Sequence, residues 1–250
     1  HGNPLADLLR QLALDHEAAF PGSLCSVLLL DDSGTCLAHG AAPSLPDFYN
    51  QAIHGMAIGP GMGACGTACH SGQRVVTEDI ATDPRWADFR ALASQAGLAA
   101  CWSTPVLGPG GRPLGTFAVY RRQPGMPGDE ELDHANFAAG LAALAVGQHR
   151  SAQRLRDSER RLADTLQAVP DPIWLKDAQG ALLLANAAYR RLAVGGDATP
   201  ATLPPVAASA HNLAALAADD AAVARSGTPA TAERWLSVPP RRRRARRSSW

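Results

Sequence analysis

No apolar run in this chain approaches the roughly 18 residues that a membrane span requires, and no secretory signal opens it. The charge of one sign that marks nucleic-acid or membrane partners is also missing, because 23 basic and 23 acidic residues cancel. Aromatic residues make up only 5% of the 250, so the core must rest on aliphatic side chains and alanine. The five cysteines (Cys25, Cys36, Cys65, Cys69, Cys101) are odd in number and show neither a paired C-x-x-C nor zinc-finger spacing. They read as reduced thiols of a cytoplasmic protein. No Walker loop, kinase phosphoacceptor box or cyclase motif occurs, which leaves no recognisable catalytic output. The chain begins at His1 rather than Met and so reads as a fragment of a longer protein, with an upstream anchor left open. At this length it has room for one large domain or two smaller ones.

What is present is organised around Ile58-Gly59-Pro60-Gly61-Met62-Gly63-Ala64-Cys65-Gly66-Thr67-Ala68. So much glycine and proline forbids a settled strand or helix at its start. Thr67-Ala68-Cys69-His70 can begin a helical turn. A glycine-rich bend feeding a helix exposes backbone N–H groups to a small anion or oxygen-rich ligand. A tight turn that merely lets the chain cross a sheet edge uses the same residues.

In chain order, Leu5, Leu8, Leu9 and Leu12, with Ala13 and His16 adjoining, predict an amphipathic helix over residues 4–19. Leu24–Leu30 and Thr35–Ala41 flank the turn Asp31-Asp32-Ser33-Gly34 as a hairpin, in which Cys25 and Cys36 lie too far apart to bridge. Leu45–Ile53 reads as a short helix with Phe48, Tyr49 and Ile53 inward. Arg74–Thr77 is a brief strand. Asp83–Ala96 reads as one capped helix burying Trp86, Phe89, Leu92 and Ala93, closed by Gly97. Cys101–Leu107 and Pro113–Arg121 form a second hairpin. Hairpins mixed with helices, rather than strict βαβ alternation, predict an α+β domain with an antiparallel sheet and helices packed on it.

From Asp129 to about Leu166 the pattern is helical, with Leu132, Leu141 and Leu144 marking its early face. Leu155, Leu162 and Val169 then recur every seven residues, which suits a solvated spacer or a parallel dimer seam. Pro170-Asp171-Pro172 ends the helix. A strand, a turn at Asp177–Gly180, a second strand at Leu182–Leu184 and a helix from Asn186 follow. Beyond a stretch rich in Ala, Pro and Thr, His211–Arg225 reads as a helix and Glu233–Leu236 as the start of a strand. The six arginines of 239–250 read as a disordered end, because like charges do not bury as a sheet strand. A phosphate-rich polyanion is the alternative partner for them.

Taken together, Ile58-Gly59-Pro60-Gly61, Cys65-Gly66-Thr67-Ala68, Glu78-Asp79-Ile80, Asp83-Pro84-Arg85-Trp86, Gly97-Leu98, Cys101-Trp102-Ser103-Thr104-Pro105 and Leu114–Tyr120 resemble, in order, a GAF domain. The resemblance is to the sensory GAF domains of bacterial histidine kinases and cyclic-di-GMP signalling proteins. Residues 168–192, with Asn186-Ala187-Ala188-Tyr189, resemble the first half of a PAS domain. The resemblance implies a GAF domain over 1–128, a signalling helix over 129–166 whose first turns complete it, an incomplete PAS domain over 167–238, and the arginine tail. It implies a sensory input module of a two-component or cyclic-di-GMP pathway, with its output domain outside these residues and no cofactor. The ligand would be a small molecule held by Gly63, Cys65, Thr67, Asp79, Trp86, Cys101, Trp102 and Ser103, and the partner a second copy docked through the 129–166 helix. For Trp86 and Trp102, ordinary core packing is the alternative role.

Three rivals share some of these residues. Cys65-Gly66-Thr67-Ala68 also matches free methionine-(R)-sulfoxide reductases, but their Gly-His-Ile-Ala-Cys-Asp element is absent, and a buried structural thiol is the other reading of Cys65. Cys65, Cys69, His70 and Cys101 offer soft metal ligands without the paired spacing metal sites use. Cys69-His70 resembles the bilin-attachment dipeptide of phytochromes, whose surrounding motifs are missing, as is the Asn-Lys-Phe-Asp-Glu signature of cyclic-nucleotide GAF domains. A ligand-free dimerisation module remains the non-sensory alternative.

Overall fold

The computed structural model describes residues 4–176 and 182–194, with Arg225. They fall into two compact units, the first running to Arg154 and the second beginning at Leu155.

The first unit is built on a six-stranded sheet in the order β3-β2-β1-β6-β5-β4. Its strands are β1 (Ser23–Leu30), β2 (Cys36–Ala41), β3 (Met56–Ala57), β4 (Val75–Thr77), β5 (Ala100–Leu107) and β6 (Pro113–Arg121). Every pairing is antiparallel. The central strands β1, β5 and β6 are buried on both faces, so their sequences read as apolar runs rather than as alternation. Gly115 makes the β1–β6 pairing possible, because a Cβ there would stand 2.1 Å from the Leu28 carbonyl oxygen.

Helices α1 (Pro4–Ala19) and α5 (Asp129–Ala168) cover one face, and α2 (Asp47–Ile53), α3 (Gly63–Ser71) and α4 (Arg90–Gln95) cover the other. The buried line of α1 is Leu9, Leu12, Ala13 and His16; Leu8, one residue round the helix from Leu9, is exposed. On α5 the buried line is Ala135, Ala138, Ala139, Ala142 and Val146, and Leu144 is exposed. Small side chains let this helix lie close over Trp102 and Phe117, which is why alanine rather than leucine marks its inner face. Arg121 fastens β6 to α5 through a 2.7 Å bond to Glu131, and Arg150 donates to the Leu30 carbonyl.

Three local expectations change. In α2, Tyr49 and Ile53 are buried but Phe48 is exposed. The expected helix over 83–96 is split into a 3₁₀ turn at Pro84–Trp86 and α4. The Asp83 carboxylate accepts from the Arg85 N–H and guanidinium, while the Trp86 indole N–H reaches back to Thr77 on β4. These bonds draw the turn onto the sheet instead of into a continuous helix. Gly97 closes α4 in the left-handed region, φ +69°, as expected. Finally, α3 begins at Gly63 rather than Thr67. Gly66 lies inside it because a Cβ would meet the Ala57 carbonyl at 2.9 Å and Met62 Cβ at 2.6 Å.

The second unit pairs β7 (Trp174–Lys176) with β8 (Leu182–Ala185) and leads into α6 (Ala187–Val194). Asn186, fully buried, holds it together. Its Oδ1 accepts from Ile173 N and Tyr189 N, both at 2.9 Å, and its Nδ2 donates to Val169 O and Asp171 O. The Trp174 and Tyr189 rings pack at 5.2 Å. The expected turn at Asp177–Gly180, the Glu233–Leu236 strand and the arginine tail lie outside the described residues, as does all of the 211–225 helix but its last residue. No helix among the described residues is long and apolar enough to cross a membrane.

Candidate functional site

The glycine-rich stretch enters α3 through Gly61 and Gly63, both at positive φ, and lays that helix across β5 and β6 as a roof. Beneath the roof, Gly63, Ala64, Cys65, Tyr49, Trp86 and Tyr120 are among the residues that wall a hollow. The space open to the centre of a water-sized sphere is about 10 Å³, which is room for one water molecule. Met56 and Phe89, partly buried, also line it.

Cys65 is the chemical centre of this hollow. Its sulfur lies 3.7 Å from the Tyr120 hydroxyl, which in turn lies 3.2 Å from Ser26 Oγ. Cys101 and Tyr120 are paired across β5 and β6 and therefore point to the same face, toward Cys65. The hydroxyls of Ser103 and Thr116 are also buried on this face, and neither has a partner at hydrogen-bond distance. The neighbouring Cys101 thiol first, then the Tyr120, Ser103 and Thr116 hydroxyls, outweigh desolvation and bring the Cys65 pKa down to about 7. Cys101, by contrast, is pushed up by burial and by the neighbouring Cys65, and Tyr120 is pushed up by burial and the charge on Cys65. Cys69, one turn along α3, is raised to about 11 by burial and by Cys65. One thiol is thus primed to ionise, and its neighbours are primed to keep their protons.

At the rim, the Trp86 indole donates to Thr77 Oγ1 at 3.0 Å and Thr77 donates to Asp83 Oδ2 at 2.9 Å. Asp83 is held below the usual carboxylate range by the Arg85 guanidinium and N–H and by Thr77, against the opposing effect of burial. This relay fixes the tryptophan as a wall of the hollow.

Strand periodicity divides the expected ligand residues. Gly63, Cys65 and Trp86 line the hollow, and Cys101 and Ser103 stand behind Cys65 on the same face. Trp102, between them in sequence, points to the opposite face, under α1 and α5, with Arg121 stacked 5.9 Å from its ring centre. It is a core residue and not a wall of the hollow. Thr67 Oγ1 donates to Gly59 O, tying roof to loop, and the Asp79 carboxylate accepts from Ala81 N at the surface. Neither lines the hollow. Sequence reasoning passed over Tyr49, Tyr120, Ser26 and Thr116 as site residues; the period-two spacing Thr116–Ala118–Tyr120 was the signal that Thr116 and Tyr120 share one face of β6. Among the described residues, no group of three or more His, Cys, Asp or Glu is placed to hold a metal ion.

An antiparallel sheet with one face roofed by α3 over a small, largely apolar hollow and the other covered by a long helix defines the class of α+β domain. Residues 3–147 match the family model of the GAF domain, and the chain belongs to that family. Over 179 residues, 72% of the chain, it is 35% identical to the methyl sulfide methyltransferase-associated sensor of Methanosarcina acetivorans. The chain spans only 18% of that protein's length. Among solved structures, a domain assigned to a two-component sensor histidine kinase of Sinorhizobium meliloti superposes with a TM-score of 0.52 at 21% identity, covering 62% of this chain and 99% of that one. The GAF domain of a phosphoenolpyruvate-protein phosphotransferase from Coxiella burnetii gives 0.51 at 17% identity, covering 60% and 86%. At those identities the two structures share the fold.

Proposed function

We propose that this chain is a sensory input module, in which a small molecule entering beneath α3 alters the packing of the sheet and thereby the helix α5 on its far side. The observation that carries the reading is the hollow lined by Cys65 and Tyr120, on the sheet face opposite the one that α5 covers. Similarity to a protein named as a sensor supports it. The 168–192 resemblance to a PAS domain, together with a hairpin closed by the Asn186 cap, supports a relay from GAF to PAS and then to an output domain outside this chain. Signal transfer of this kind requires the ligand to favour one of two packings, not merely to bind.

The partner is a second copy in parallel register. Leu155 and Leu162 are exposed at seven-residue spacing, with Val169 next in phase. Numbering these as heptad a positions puts Arg154 at g and Glu159 at e, so an in-register pair sets each copy's Arg154 beside Glu159 of the other. A thermal-shift screen of small anions, amino acids and nucleotides tests the sensory reading. A concentration-dependent rise in Tm without turnover is expected, and it should be lost when Gly63→Leu fills the hollow. A screen in which no compound moves Tm would refute it. Turnover of free methionine sulfoxide that stops in Cys65→Ser would make the module an enzyme instead.

A further inference from the structure

On the sheet face away from the hollow, α5 runs past the hairpin that joins β5 to β6, and a groove of about 790 Å³ lies between them. That is room for an organic ligand of ordinary size. Leu107 and Leu114 of the hairpin and Ala143 and Leu144 of α5 give it apolar walls, and Arg112 and Arg150 line it as well. Among the described residues no aspartate or glutamate lines it, and neither arginine makes an ion pair. Arg150 donates to the Leu30 carbonyl, which anchors its guanidinium without neutralising it. Gly140 and Gly147 complete the α5 side. Glycine is a poor residue for a helix interior, and here no neighbour demands it: a Cβ at either position would meet no atom within 4 Å. What the two glycines provide is the open space of the groove itself.

We propose that this groove binds a medium-chain carboxylate, its hydrocarbon tail along Leu107, Leu114 and Leu144 and its head group on Arg112 and Arg150. The proposal goes beyond the sensory reading and does not depend on it, since the groove and the hollow lie on opposite faces of the sheet. Charge complementarity selects the head group: two guanidiniums with no carboxylate of their own attract an oxyanion and repel a cation. Burial selects the tail. Leu107 and Leu144 are 38% and 66% exposed, and a hydrocarbon laid on them removes that apolar surface from water. Neither half suffices alone, because a bare head group gains only a solvent-screened ion pair and a bare tail leaves both guanidiniums uncompensated. A bilayer fits less well, because Leu114, 8% exposed, belongs to the floor of a cleft and not to a projecting surface. Arg154 also lines the groove, but the second copy's Glu159 would engage it, so the head group is assigned to the other two arginines. With one wall from the hairpin and the other from α5, a bound carboxylate braces the helix against the sheet and stabilises the first unit.

The test is isothermal titration of the full chain with decanoate, with acetate and decyltrimethylammonium as controls for the head group alone and for the tail with its charge reversed. Saturable binding of decanoate is expected, and both controls should bind at least about tenfold more weakly. Arg112→Gln, at an exposed position, should weaken decanoate at least about tenfold as well. Gly147→Leu should abolish binding by filling the groove, and the open space around its Cβ lets that variant fold. The proposal is overturned if decanoate does not bind, if decyltrimethylammonium binds equally well, or if neither substitution weakens decanoate. It is also overturned if Gly147→Leu breaks a dimer while decanoate binding persists, which would make this face an interface between copies. Binding to anionic phospholipid vesicles that Gly147→Leu abolishes, without binding of free decanoate, would put a membrane there instead. Gly147→Leu leaves the hollow beneath α3 untouched, so a compound whose thermal shift survives that substitution belongs to the hollow; either reading can fail alone.

Discussion

His16 should make the first unit acid-labile, and the size of the effect follows from its surroundings. The ring is fully buried between α1 and α5. Its Nδ1 lies 3.0 Å from His134 Nδ1, and Phe20 and Phe117 pack on it with centroids at 4.9 and 5.5 Å. Its Nε2 completes no hydrogen bond and stands 3.8 Å from Glu131, whose carboxylate is already engaged by Arg121. Burial first, then the charges of His134 and Arg121, lower the His16 pKa from 6.5 to about 4. The folded chain therefore resists a proton that the unfolded chain accepts. Stability from this group is complete above the unfolded value, begins to fall below pH 6.5, and is exhausted near pH 4. The full shift corresponds to about 3 kcal/mol, of which about 2 kcal/mol is lost between pH 7 and pH 5. His39, lowered by burial and by His54, acts in the same direction, but its exposure limits its share. The lowered carboxylates Asp31 and Asp83 titrate below this window. Urea unfolding followed by tryptophan fluorescence at pH 7 and pH 5 measures the loss, and His16→Gln, which cannot titrate, should remove most of it. Equal losses in wild type and variant would refute the assignment to His16.

Other perturbations test other parts of the argument. Thr77→Val removes the hydroxyl that joins the Trp86 indole to Asp83 and should cost about 1–3 kcal/mol in the same urea experiment, because a buried N–H is left without its acceptor. Gly115→Ala places a Cβ against the Leu28 carbonyl and should cost several kcal/mol or abolish soluble expression, on the order of the largest single-site effects. Asn186→Ala deletes four hydrogen bonds and should cost the second unit about 2–4 kcal/mol, seen as lost hydrogen-exchange protection over 173–190 while β5 and β6 stay protected. Leu155→Glu with Leu162→Glu should shift the chain from dimer to monomer in analytical ultracentrifugation and leave the unfolding midpoint of the first unit unchanged.

The sequence by itself determined the elements and their class. Hairpin turns, glycine stops and apolar runs follow local rules, so the antiparallel sheet, the helix closed by Gly97 and the long helix after Asp129 were all legible. It also marked the stretch that becomes the roof, since only glycine fits where α3 presses against the Ala57 carbonyl. Pairing across the sheet was beyond it. That Cys65, Cys101, Tyr120, Ser103 and Thr116 converge depends on β5 lying beside β6 in one register, with α3 crossing both. The same register turns Trp102 away from residues that flank it in sequence. The alanine face of α5 was hidden for a related reason: how small a side chain must be is fixed by what it packs against, and Phe117 and Trp102 come from strands far along the chain. Local chemistry chose the pieces, and long-range contact decided which of their side chains meet.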